Sequence, residues 1–75
     1  MSCSEQLNEH VKTYNERINK FYHMYDNKTT SYILPLPHFT LDCLDLMPTF
    51  ISKLNNNYIV KQIDGFNISI NIRDS

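Results

Sequence analysis

The sequence has no alanine, no tryptophan, one glycine, two cysteines and no apolar run long enough to cross a membrane. Each shortage excludes something. A single glycine cannot build a phosphate-cradling loop, and Gly65 already serves a turn. Cys3 and Cys43 allow at most one internal bridge, with Cys3 in a terminal stretch prone to fray. No segment reads as a signal peptide or a membrane span. Both cysteines are therefore expected as reduced thiols in an intracellular compartment, with no membrane partner. The seven Lys and Arg are mixed along the chain with eight Asp and Glu, for a net charge of −1. That is not the basic field nucleic acid demands. Two glycosylation sequons, Asn27-Lys28-Thr29 and Asn67-Ile68-Ser69, matter only on a secretory route. The wealth of Asn, Ile, Tyr and Lys fits an AT-rich genome and carries no functional signal.

What is present begins with a helix. Leu7, Val11, Tyr14, Ile18, Phe21 and Tyr25 are spaced 4, 3, 4, 3, 4, with Asn, Glu, Lys, Arg and Thr between them. Ser2 and Glu5 stand at capping-box spacing, so the helix is predicted to start there and to run to about Asp26, with Asn27 as terminator. Tyr22 and Met24 flank the stripe and widen it.

A polar turn follows, then SYILPLPHF, in which Pro35 and Pro37 limit Tyr32–Leu34 to an edge strand or an extended arm. Thr40 is placed to cap a second helix, with Phe39 and Leu44 at the positions of a hydrophobic staple. Pro48 interrupts that helix, either kinking it or opening a second helical segment from its first turn. Leu44, Met47, Phe50, Ile51 and Leu54 are read as its apolar face. Asp64-Gly65 between two β-branched runs marks a hairpin. Phe66, Ile68, Ile70 and Ile72 alternate with polar residues, which gives the sheet one dry face. A two-residue turn would pair Ile63 with Phe66 and place Lys61 on that face. A three-residue turn with a bulge at Gly65 would pair Gln62 with Phe66 and bring Tyr58 and Val60 inward. The second buries more apolar surface and is favoured. The predicted class is α+β in a single small domain, residues 1–75: a long amphipathic helix, an extended arm, a Pro-broken helix and a C-terminal hairpin, with Tyr32–Leu34 as a possible third strand.

Chemistry finds few candidates. His38 and Cys43 are the only Cys/His pair close in sequence, and no third group orients them. His10, His23, His38, Cys3 and Cys43 lack the spacing of a metal site. Asp42 and Asp45 suit a helix N-terminus. No catalytic, metal or cofactor residue is assigned, and the chain is read as a non-enzyme.

The 4, 3 spacing is also the heptad rule, so the stripe admits two placements. It covers this chain's own hairpin layer, or it pairs with another copy. A short chain is starved of core, and aromatics are enriched where proteins meet, which favours the second. Leu7, Val11, Tyr14, Ile18, Phe21, Tyr22 and Tyr25 are accordingly expected to form an interface for a homo-oligomer or a protein partner. Residues 1–27 become a docking segment and 32–75 an α+β head. The alternative is a winged-helix-like module that binds a protein or, less favourably, nucleic acid. Its reader helix, LDCLDLMPTFISKL, would meet phosphate repulsion at its start.

Tyr32, Pro35, Cys43, Gly65, Phe66 and the isoleucines from Ile68 to Ile72 together resemble a pattern in small proteins of giant nucleocytoplasmic large DNA viruses. The resemblance covers about half the chain, which lacks the tryptophan expected after the last strand. It implies a virion or viral-factory protein, in the host cytoplasm or the virion, and carries over no functional residue.

Overall fold

The computed structural model describes residues 2–24, 31–56 and 58–72. Helix α1 spans Cys3–Met24. Its start follows the capping expectation in modified form. The Glu5 N–H donates to Ser2 Oγ at 3.2 Å, while the Ser2 hydroxyl donates back to the Glu5 carboxylate at 3.1 Å. The predicted helix end at Asp26 and its terminator Asn27 lie outside the described residues.

The second helix is broken as Pro48 requires. A 3-10 helix over Leu41–Leu46 runs directly into α2, Met47–Leu54, whose first turn holds the proline. Pro48 fits there because its fixed φ suits the first turn of a helix. Two details are corrected. The Thr40 side chain makes no capping bond. Instead the Thr40 N–H donates to Gln6 Oε1 at 3.1 Å, and Gln6 Nε2 donates to Thr40 Oγ1 at 3.1 Å, so α1 holds the start of the 3-10 helix. The staple does not form either: Phe39 is buried, but Leu44 is exposed.

Strands β1 (Tyr32–Pro35), β2 (Tyr58–Gln62) and β3 (Asn67–Ile72) form an antiparallel sheet in the order β1-β3-β2. The possible third strand is therefore real. In the hairpin Gln62 pairs with Ile68 and Val60 with Ile70, and the Ile63 N–H donates to the Asn67 carbonyl at 3.1 Å. Neither predicted register is correct. Asp64, Gly65 and Phe66 form the loop, Gly65 has no positive φ, and an aspartate takes the role given to glycine. Asp64 Oδ1 accepts from the N–H groups of Phe66 (2.7 Å) and Asn67 (2.9 Å), a side chain imitating a turn. The inward placement of Tyr58 and Val60 holds, but Phe66 leaves the dry face for solvent.

Both sheet edges are guarded. The Leu36 N–H donates to the Phe66 carbonyl at 2.8 Å, so alternation turns residues 32 and 34 towards β3 and residues 33 and 35 towards the open edge. Pro35 has no N–H to offer there, and its carbonyl accepts the Tyr14 hydroxyl. On the opposite edge the Val60 N–H donates to Asn55 Oδ1 at 3.0 Å.

One core joins α1 to the sheet and α2. It holds Leu7, Tyr14 and Ile18 together with Leu34, Phe39, Phe50, Leu54, Ile68 and Ile70. The division into a docking segment at 1–27 and a head at 32–75 has no counterpart in this packing. Beyond Tyr14, the Tyr22 hydroxyl donates to the Ile70 carbonyl at 2.9 Å, and the Tyr58 hydroxyl donates to Asn19 Oδ1 at 2.9 Å. The expectation of free thiols is overturned as well. Cys3, in the first turn of α1, and Cys43, in the 3-10 helix, form a disulfide across 40 positions of sequence.

Candidate interaction surface

The disulfide decides the fate of the chemical candidates. Cys43 is buried and bonded to Cys3, so the pair it might have formed with His38 has no thiol. The carbonyl of His38 accepts from His10 Nε2 at 2.8 Å, which fixes the ring proton on that nitrogen. Cys3, Asp42 and Cys43 are close enough to share a metal ion, with ligand atoms within 4.8 Å. Both sulfurs are consumed by the bridge, however, and a disulfide offers no thiolate.

The residues expected to form an interface divide. Ile18 is 0% exposed, and Leu7 and Tyr14 are also buried, all three against this chain's own core. They cannot face another subunit while this packing holds, and their placement in a self-association seam is corrected accordingly. Val11, Phe21 and Tyr22 are half-buried, and Phe21 stacks on Tyr32 with ring centroids 4.1 Å apart. Tyr25 lies outside the described residues. Two polar positions outside the 4, 3 stripe also face inward, Gln6 buried and His10 half-buried. Gln6 faces Thr40, and His10 meets the Phe39 ring edge-on at 5.0 Å.

The outward apolar residues lie elsewhere. Leu41 is 88% exposed, Phe66 79% and Leu44 47%, and Met24, Ile33, Ile59 and Ile63 are exposed as well. A 3-10 helix has three residues per turn, so side chains three apart stand one above another. Leu41 and Leu44 therefore form one row that continues to Met47, at the start of α2. Asp42 and Asp45 form a second, exposed row. Thr40, Cys43 and Leu46 form the third, which the disulfide and the Gln6 bonds turn towards α1. At Met47 the apolar row reaches a groove of about 330 Å³ lined also by the Pro35–His38 arm and by Gly65 and Phe66 of the hairpin tip.

The tip is electrostatically set. Hydrogen bonds from the Phe66 N–H, and then from the side chain and N–H of Asn67, hold the Asp64 carboxyl below its ordinary range despite its full exposure. Residues 36–50 and 62–68, the segments that carry the row and the hairpin tip, include Asp42, Asp45 and Asp64 but neither Lys nor Arg. Lys61 points to the opposite face of the sheet, in the row shared with Ser69 and Ile33.

A period-three reading of Leu41, Leu44 and Met47 would have found the exposed row. A period of 3.6 instead folds Leu44 into the buried face of a continuous α-helix. Comparison with known proteins adds no relative: no family model, curated protein or solved structure matches the chain.

Proposed function

We propose that this chain is a small non-enzymatic interaction module that binds another protein, with its contacts made by residues other than the buried stripe of α1. The observation that carries this reading is the division of apolar surface. The chain hides Leu7, Tyr14 and Ile18 itself but leaves Leu41, Leu44 and Phe66 in solvent. Clusters of large exposed apolar side chains mark sites where proteins meet.

The alternative drawn from the sequence gains from the topology. Helix, strand, broken helix and hairpin, with the last strand central, is the order of a winged helix. Two departures argue against DNA as its ligand. No turn separates the 3-10 helix from α2, so these two do not form a helix-turn-helix. The exposed residues of α2 are Pro48, Thr49, Ser52 and Lys53, with one cation among them. Phosphate binding draws on several cations held on one face.

No helix among the described residues is long and apolar enough to cross a membrane. The Cys3–Cys43 bridge supports residence in an oxidising environment over the reducing one expected from the sequence. A place in a virion or viral factory rests on the resemblance alone. The test pairs sedimentation across a dilution series with a salt titration against duplex DNA. A monomer at every concentration, with no salt-dependent duplex binding at physiological ionic strength, supports a protein-binding module. Duplex binding whose logarithm falls steeply with salt overturns it.

A further inference from the structure

We infer that the face built from Leu41, Leu44, Met47 and Phe66 receives a basic amphipathic helix from a partner protein. The inference rests on the interaction reading above and adds the place and the chemistry of the partner. Six residue steps at the 3-10 rise make the Leu41–Met47 row roughly 12 Å long, a little over two turns of an α-helix. The row ends at the groove beside the proline arm and the hairpin tip, whose lining includes both Met47 and Phe66. A helix whose apolar residues recur at i, i+3 or i+4, and i+7 lays such a stripe into such a groove.

Charge selects the occupant. Asp42 and Asp45 run beside the apolar row, and Asp64 stands at the hairpin tip with its carboxylate form stabilised by its hydrogen bonds. With no Lys or Arg in either segment, the rim repels acidic partners and favours Lys or Arg flanking the apolar stripe. A second copy is the wrong occupant for a two-fold contact through this face, because an isologous interface would set acidic rim against acidic rim.

The probes are two synthetic helical peptides of about 14 residues, identical in leucine spacing, one with lysine and one with glutamate at the polar positions. Affinity for the full chain is read by fluorescence anisotropy, and the site by amide shift changes in labelled protein. The lysine peptide is expected to bind at least about tenfold more tightly, to weaken as salt rises, and to shift residues 41–47 and 64–66. Leu44→Ser with Phe66→Ser, both solvent-facing, should lower that affinity about tenfold or more while the urea midpoint stays put. Asp42→Asn with Asp45→Asn should flatten the salt dependence. Equal affinity for the two peptides, or binding by neither, overturns the inference. Shifts confined to the wet face of α1 or the open face of the sheet overturn it too, yet leave the protein-binding reading standing. Duplex binding in the earlier titration removes that reading itself.

Discussion

At the scale of single residues, hydroxyls and one carboxylate perform tasks that packing alone does not. Tyr14 and Tyr22 on α1 donate to carbonyls of β1 and β3, and Tyr58 on β2 donates to Asn19 of α1. Tyr14→Phe keeps the ring and frees the Pro35 carbonyl, so it should cost about 1 kcal/mol, read as a lower urea midpoint at an unchanged slope. Burial raises the phenol pKa of all three above 10.0. Ionisation is thus easier in the unfolded chain. The tyrosine contribution to stability is whole below pH 10 and lost as pH climbs through the raised folded values. Thermal melts from pH 8 to 11 should show a falling midpoint, shallower in Tyr14→Phe. Asp64 has the opposite sign: its folded pKa is depressed, so its contribution is present above the ordinary carboxylate value and disappears as pH drops through the folded one. Asp64→Ala should therefore destabilise at neutral pH and converge with the parent in acid, a comparison that denaturant titrations at several pH values settle.

At the scale of elements, the disulfide and the second helix set the interaction face. Closing a loop of this length removes unfolded-state entropy worth about 4 kcal/mol in the chain-entropy model. Cys3→Ser with Cys43→Ser should lower the urea midpoint accordingly. Amide exchange should accelerate first in the 3-10 helix, which loses its tie to α1. The elements themselves were legible in the sequence. Capping at Ser2 and Glu5, the break at Pro48 and the alternation through Ile68, Ile70 and Ile72 are local signals, and local physics decides them. What escaped was non-local. Cys3 and Cys43 lie far apart along the chain, and nothing near either one announces the other. The hairpin register was missed because Asp64 uses its side chain where a glycine turn was expected. The Leu41 row was missed because one apolar pattern can be wound at three residues per turn or at 3.6.

At the scale of the whole molecule, α1 packs in cis because the chain has more interior than its length suggested. The sheet, α2 and the disulfide together make a bed for Ile18. Ile18→Asp should consequently unfold the chain outright, seen as loss of cooperative melting, instead of merely dissociating an assembly. The guarded edges bear on association as well. Pro35→Val adds an N–H to the open side of β1, and should produce more concentration-dependent association in sedimentation runs than the parent shows.

The central position of β3 reaches further than packing. During synthesis β1 and β2 emerge as two borders with no middle, and neither can zip to the other because the strand that belongs between them has yet to be made. The sheet cannot close until Asn67–Ile72 is made and enters the gap. A chain interrupted before that stretch would carry a helix and two orphaned ribbons, with nothing to fasten them.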